Sequence, residues 1–377
     1  MPHFLSDPMT KLWKRWFKTS LITTLLTILF LATSTICWTS PSMAALPAGN
    51  AITDGKALLR YSLPIENPTV RELQASLEDI ATQLRANRRW RAISSDLNKA
   101  SKIANSRADK ILASVPEERK PEAIALIDRL QAGLETLEPA VEAKEKNQIW
   151  EGRAQLLDLV GQLESLMVKD FPYEVPAEYS NLPQLKGRAT IAMTTNKGDL
   201  TVVVDGYSAP VTAGNFVDLV QRGFYNGLEF IRAEDAYVLQ AGDPPGKEQG
   251  FIDPDTGKYR AVPLEVLAEG DKIPTYGITL EDAGRYRDQV VLPFSAYGAV
   301  AMARPEGEPN GGSSQFFFFL FEPELTPAGR NLLDGRYSVF GYVTEGKDVL
   351  EQLKAGDKIE SAKVVGGLEN LVEPKAA

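Results

Sequence analysis

Few of the side chains that usually carry chemistry are available in this chain. Its single histidine, His3, and its single cysteine, Cys37, both fall within the first 44 residues. If that segment is removed, nothing remains for a Cys nucleophile, a Ser-His-Asp triad, a His-ligated zinc site or a disulfide. General acid or base work then falls to carboxylates, lysine or tyrosine. "DPDTGK" (253–258) invites comparison with a calcium loop, but Pro254, the missing third acidic ligand and the lack of a closing glutamate argue against one, so a surface hairpin is expected there. No metal and no cofactor are expected. The notable polar residues stand beside apolar runs: Arg232 in "EFIRAED", Gln240 in "VLQAGD", and Gln315 ahead of four consecutive phenylalanines in "SSQFFFFLFEPELT". That last stretch is either only a buried strand or a strand whose leading glutamine belongs to a site.

The elements that must hold these residues begin after a leader. Lys11, Lys14, Arg15 and Lys18 precede the apolar run Leu21 to Ala32, and Ser42-Met43-Ala44 offers small residues where a signal peptidase requires them. Residues 1–44 therefore read as a cleavable export signal; as a membrane span, the apolar run is short and diluted by threonines. Without the leader, the chain keeps 37 basic and 49 acidic side chains, a net charge of −12 against −9 for all 377 residues. That balance argues against nucleic-acid binding, which needs cations facing phosphates. It favours a soluble chain, expected to be a monomer.

Residues 45–66 carry no clear period and are read as an extended segment. From 67 to 170 the apolar residues recur at helical spacing. Asn67 is a plausible N-cap, with Pro68 at the first helical position, for a stripe of Val70, Leu73, Leu77, Ile80 and Leu84. Trp90, Ile93, Leu97, Ile103 and Ile111 mark a second helix. Ile124, Ile127, Leu130, Leu134 and Leu137 mark a third, and Leu156, Leu159, Leu163 and Leu166 a fourth. One apolar face per helix implies an antiparallel bundle. The cluster Arg85, Arg88, Arg89, Arg91 offers contact with an acidic partner or a membrane surface, although a solvated helix face explains it as well.

Residues 171–187 hold three prolines and no helical period, the composition of a linker. From 188 to 377 the pattern turns to short strands. "ATIAMTTNKGDLTVVVDG" reads as two strands about a turn at Asn196-Lys197-Gly198, and "VTAGNFVDLVQRGFY" as a helix stopped at Gly223. Further strands are expected at 237–240, 298–302, 314–321 and 337–343. Many short strands with few helices suggest a closed barrel or a sandwich. Alternation splits "QFFFFLF" into Phe316, Phe318 and Leu320, the expected core face, and Gln315, Phe317, Phe319 and Phe321 outside. An exposed strand this apolar would invite aggregation, so a helix or the linker is expected over Phe319 and Phe321.

Four segments in register, "NFVDLVQRGFYNGLEFIRAEDAYVLQAGDP", "GAVAMAR", "GGSSQFFFFLF" and "LLDGRYSVFGYV", resemble the cyclophilins, the peptidyl-prolyl cis-trans isomerases. The resemblance covers about half the chain. It implies an antiparallel β-barrel capped by helices behind the helical bundle, with an outer groove for an X-Pro peptide. By motif position, Arg232 falls on the family's catalytic arginine. Gln240 and Gln315 fall on the groove glutamines, Phe317 on the floor of the proline pocket, and Ala303 on a small residue of the wall.

Other positions depart from the family's pattern. Tyr237 and Val238 stand where phenylalanine and methionine are common, and Arg304 replaces an asparagine. Leu332 replaces a tryptophan ahead of Leu333, and Tyr337 replaces a histidine beside the pocket. A long cation at Arg304 and a shortened wall at Val238 are expected to weaken proline binding. The segment between Asp243 and Gly298 is also longer than in compact cyclophilins, and it is read either as surface structure or as a cover over the groove.

A helical region followed by an elaborated barrel, exported and acidic, is similar to the multidomain cyclophilins of the thylakoid lumen, a subgroup associated with photosystem II assembly. The resemblance implies proline-containing polypeptide clients, photosystem II subunits among them, in the thylakoid lumen or a periplasm. Two functions stay open: an isomerase acting on X-Pro bonds, and a catalytically weak binding module serving assembly.

Overall fold

The computed structural model describes residues 52–86, 89–234, 237–254, 256–321 and 331–374. The expected leader and its cleavage site, Arg88, Asp255 of the calcium-like motif, and residues 322–326 of the phenylalanine stretch lie outside the described residues.

Helices come first: α1 (Gly55–Tyr61), α2 (Pro68–Arg85), α3 (Trp90–Ser106), α4 (Ala108–Leu112), α5 (Lys120–Ala143) and α6 (Lys146–Met167). α2 opens at Asn67, whose side-chain oxygen accepts from the backbone N–H groups of Thr69 and Val70, both at 3.0 Å. The Asn67 amide nitrogen donates to the carbonyls of Lys110 and Ile111, at 3.0 and 3.2 Å. One residue thus caps α2 and ties it to α4. Leu73, Leu77, Ile80, Leu97, Leu134 and Leu163 meet in the bundle core.

On α5 and α6 the expected stripes hold except at three residues, Ile124 on α5 and Leu159 and Leu166 on α6. Ile124 is 46% exposed, and Ala123 takes its place beside Ile127, Leu130, Leu134 and Leu137 on the buried face of α5. On α6, Leu157, Val160 and Met167 are buried while Leu159 and Leu166 are only partly so. Several neighbouring apolar residues satisfy a 3.6-residue period, and the facing helix selects among them.

The expectation of an extended segment over 45–66 does not hold, because residues 55–61 form α1. Seven residues are too few to display a helical period, and such a helix needs tertiary contacts to persist. α1 has them on two sides. Leu58 and Leu59 pack on the barrel, while the Arg60 guanidinium and the Tyr61 hydroxyl reach Glu78 of α2 at 3.2 and 2.5 Å. Gly55 permits the approach, since a Cβ there would lie 2.8 Å from Cβ of Tyr342.

The linker is ordered. Within it β1 (Gln184–Leu185) pairs antiparallel with the terminal β12 (Leu371–Val372). Gln184 lies so close to helix α7 (Pro210–Gln221) that a Cβ on Gly214 would be 2.5 Å from its Cα.

The barrel strands are β2 (Arg188–Thr195), β3 (Gly198–Asp205), β4 (Arg232–Glu234), β5 (Val238–Ala241), β8 (Ala299–Met302), β9 (Phe316–Phe319), β10 (Val339–Glu345) and β11 (Ile359–Gly366). A small two-stranded sheet, β6 (Glu265–Val266) with β7 (Thr275–Tyr276), lies in the insertion. The barrel order is β11-β2-β3-β10-β8-β9-β5-β4, antiparallel throughout. It closes where the chain entering β4 meets the chain entering β11: Phe230 N–H donates to the Asp357 carbonyl at 2.8 Å, and Ile359 N–H to the Leu228 carbonyl at 2.9 Å. Inside, Phe316 meets Phe216 of α7 edge to face at 5.1 Å, with Phe318 and Phe340 in the same core.

The insertion 244–297 is fastened at both ends. Asp253 N–H donates to the Lys258 carbonyl at 2.9 Å in a hairpin, and Arg260 is buried against Asp218 of α7 at 2.5 Å. Further along, Phe294 joins the outer cluster on the sheet. Among the described residues no helix is long and apolar enough to cross a membrane.

Candidate functional site

Strand pairing arranges the candidate residues in a row. Arg232 on β4 faces Gln240 on β5, Gln240 faces Phe317 on β9, Phe317 faces Ala301 on β8, and Ala301 faces Val339 on β10. Directly opposed residues of an antiparallel ladder project to the same side, so Arg232, Gln240 and Phe317 share the outer wall. A second row on that side holds Val238, Phe319, Ala299 and Tyr342. Alternation along β9 is as expected: Phe316 and Phe318 enter the barrel core with Leu320 packed against it, while Phe317 and Phe319 belong to the outer cluster.

The polar half is a chain of amides. Gln240 Nε2 donates to Gln315 Oε1 at 2.6 Å. Gln315 Nε2 in turn donates to Asp243 Oδ1 and to the Gln249 carbonyl, both at 2.8 Å. Two acceptors therefore set which way the Gln315 amide faces. Gln240 keeps its carbonyl oxygen and a second N–H for another partner. Arg232 is exposed on β4 beside this pair.

The apolar half surrounds Phe317, which is 6% exposed. Phe294 lies parallel to it at 6.0 Å, and Tyr337 meets it edge to face at 5.5 Å. Val238 is buried in the same cluster, with Ala303, Leu333 and Tyr337 partly buried around it. Tyr237 is 40% exposed, its ring T-shaped on Phe319 at 5.6 Å. Leu332 is 75% exposed, and Phe321, expected to be covered, is 39% exposed. The cover over Phe319 comes from Phe294 of the insertion, at 5.1 Å, and α1 adds Leu58 and Leu59 to the same cluster.

Two family models match the chain in tandem. Residues 54–168 match the PsbQ-like domain of CYP38-like peptidyl-prolyl cis-trans isomerases, and residues 190–367 match the cyclophilin-type peptidyl-prolyl cis-trans isomerase domain. A Synechocystis protein, named as a thylakoid lumen peptidyl-prolyl cis-trans isomerase, is 58% identical over 373 residues, with 98% of each chain covered. The chain belongs to the cyclophilins.

This cyclophilin is also 47% identical over 344 residues to the chloroplastic peptidyl-prolyl cis-trans isomerase CYP38 of Arabidopsis thaliana, a match covering 89% of this chain and 78% of the relative. Among solved structures, a Cryptosporidium parvum cyclophilin determined in the presence of the dipeptide Ala-Pro matches with a TM-score of 0.34 and 22% identity, over 47% of this chain and 99% of that one.

Arg304, the long cation expected to weaken proline binding, packs on the wall beside Phe317. In this cyclophilin its guanidinium sits over the Tyr337 ring, 5.1 Å from the centroid, with Nε and Nη2 donating to the Arg336 carbonyl at 3.2 and 2.9 Å. Nη1 donates to the Pro305 carbonyl at 3.2 Å.

Three residues that hold this candidate face or its neighbours in place were not singled out in the sequence. Asp243 stands within the "QAGDP" segment, and its acidic type beside a glycine was the available signal. Phe294 had no signal, because it reaches Phe317 from an insertion without a period. Glu265 is the third. It is buried, and its carboxylate accepts from the N–H groups of Val211 and Thr212 at the start of α7, at 3.2 and 2.9 Å. Its own N–H donates to Ser338 Oγ at 2.7 Å, one residue beyond Tyr337. Burial pushes its carboxyl up to about 7 against the pull of the two N–H groups.

Proposed function

We propose that this cyclophilin catalyses cis-trans isomerisation of X-Pro bonds in exported polypeptides, with photosystem II subunits in a thylakoid lumen as its clients. The observation that carries the reading is the row Arg232, Gln240, Phe317 across three adjacent strands, with Gln240 tied to Gln315. Rotation about an X-Pro bond faces about 18–20 kcal/mol because amide resonance must be broken, and no covalent bond changes. A catalyst needs an apolar floor for the proline ring and a donor aimed at the prolyl nitrogen, whose lone pair localises as the amide twists. Phe317 supplies the floor. Arg232 supplies a permanently charged donor. Gln240, whose carbonyl oxygen and second N–H remain available, holds the peptide backbone.

The basic and apolar leader supports export, the name of the Synechocystis relative supports the thylakoid lumen, and the Arabidopsis relative is named as chloroplastic. The match of residues 54–168 to a PsbQ-like domain model supports photosystem II as the setting.

One observation favours a second reading, a binding module with little turnover: Phe317 is held between Phe294 and Tyr337 and is 6% exposed. Proline exchange in a short peptide, followed by NMR with the intact chain, separates the two. Isomerisation that falls about 100-fold or more in Arg232→Ala supports the enzyme. Peptide binding without exchange leaves the module.

A further inference from the structure

We infer that Arg304 makes this groove selective for proline peptides in which a residue flanking the proline carries a carboxylate. The inference rests on the reading of the Phe317 face as the proline site.

Arg304 is built into the wall of that site. Its guanidinium lies over the Tyr337 ring at 5.1 Å, and Tyr337 meets Phe317 edge to face at 5.5 Å. The cation is therefore one aromatic ring away from the floor. Its neighbour Ala303 packs on the same cluster, and Ala303 N–H donates to the Gln315 carbonyl at 2.9 Å, which links the residue before Arg304 to the polar half of the site.

A long arginine at a surface usually samples many rotamers, and ordering it on a ligand then lowers the gain. Here the protein has already ordered it. Three hydrogen bonds to the carbonyls of Arg336 and Pro305, together with the face of Tyr337, hold the planar group in one place. Those three bonds engage three of the five guanidinium N–H groups, so two remain to donate.

The charge is also uncompensated. Arg304 has no carboxylate within ion-pair distance among the described residues. The adjacent Arg336 is neutralised by Glu281 at 2.5 Å, and Asp243, on the far side of Phe317, is engaged by Gln315. In a chain of net charge −9, an ordered and unpaired cation beside an apolar pocket attracts anions to that part of the groove wall. A side-chain carboxylate on the residue before or after the proline has the reach, and it accepts two parallel N–H groups well.

The test is an NMR titration of the intact chain with capped peptides of one length: Ala-Glu-Pro-Ala, Ala-Gln-Pro-Ala and Ala-Lys-Pro-Ala, and a second set with the variable residue after the proline. In at least one set the Glu peptide is expected to bind about three- to tenfold tighter than its Gln counterpart at low salt, with Lys weakest. The ratio should shrink as ionic strength rises past a Debye length of about 8 Å. Arg304→Asn should abolish the Glu preference, so that the Glu and Gln peptides bind alike. The salt series on the wild-type chain needs no variant, so a folding defect in Arg304→Asn does not remove the test.

Equal affinities for Glu and Gln peptides in both sets, or a Glu preference that survives Arg304→Asn, overturn the inference. If the Gln peptides bind and isomerise without any charge preference, only this inference fails. If no peptide binds at all, the reading of the Phe317 face as a proline site fails with it.

Discussion

Gln240 Nε2 donates to Gln315 Oε1 at 2.6 Å, and the Gln315 amide is in turn held by Asp243. This makes Asp243 a positioning residue: it orients one amide so that the next presents its free carbonyl oxygen and N–H. Asp243→Ala is expected to lower kcat/KM for proline isomerisation by roughly tenfold, far less than Arg232→Ala, because it disturbs orientation and removes no donor to the substrate. Asp243→Asn, which keeps an acceptor oxygen, should recover most of the loss. NMR exchange rates over a peptide concentration series provide the measurement.

Phe294 is fully buried, stacked on Phe317 and edge to face with Phe319. Phe294→Ala is expected to destabilise the protein by about 3–5 kcal/mol, the range for removing a buried aromatic ring and leaving a cavity. A lower urea midpoint with an unchanged m-value would show it.

Stability should also fall as pH rises, through Glu265. Its folded carboxyl titrates near 7 because of burial, above the ordinary glutamate value it has when unfolded. The folded state thus holds the proton more tightly. Its contribution is fully present below about pH 4 and is lost as pH rises through about 7, a change on the order of 3 kcal/mol. Glu164 in the bundle is displaced upward by burial against the pull of Arg71 and acts in the same direction. Urea midpoints between pH 5 and 8 should decline, and Glu265→Gln should flatten the decline in part. A wild-type midpoint that rises over this range would refute the argument.

α1 is held to the barrel by shape at Gly55 and by charge at Arg188. The Arg188 guanidinium donates to Asp205, to Ser62 Oγ and to the Leu59 carbonyl at the end of α1, and the Asp205 side chain is wholly buried. Arg188→Ala leaves that carboxylate unpaired and is expected to destabilise by about 3–5 kcal/mol. Gly55→Val places side-chain atoms against Tyr342 and should release α1 selectively. Hydrogen exchange would then accelerate over residues 55–63 while the bundle core keeps its protection.

Local pattern was enough for much of this molecule. Alternation along "QFFFFLF" separated Phe316 and Phe318 from Phe317, because successive strand residues must point to opposite faces. Asn67 announced its own cap, since the partners of its side-chain oxygen lie two and three residues away. The positions of His3 and Cys37, both within the first 44 residues, are legible without any coordinates.

What only the tertiary structure decided are contacts between residues far apart in the chain, which leave no local period. Phe294 comes to Phe317 from an insertion, and α1 persists because Tyr342 and Glu78 meet it from two sides. The buried phase of α6 was chosen by the helices it packs on. Arg304 lies over Tyr337 because an aromatic face and two carbonyls stand within its reach, and composition alone could not distinguish that pose from one across the groove.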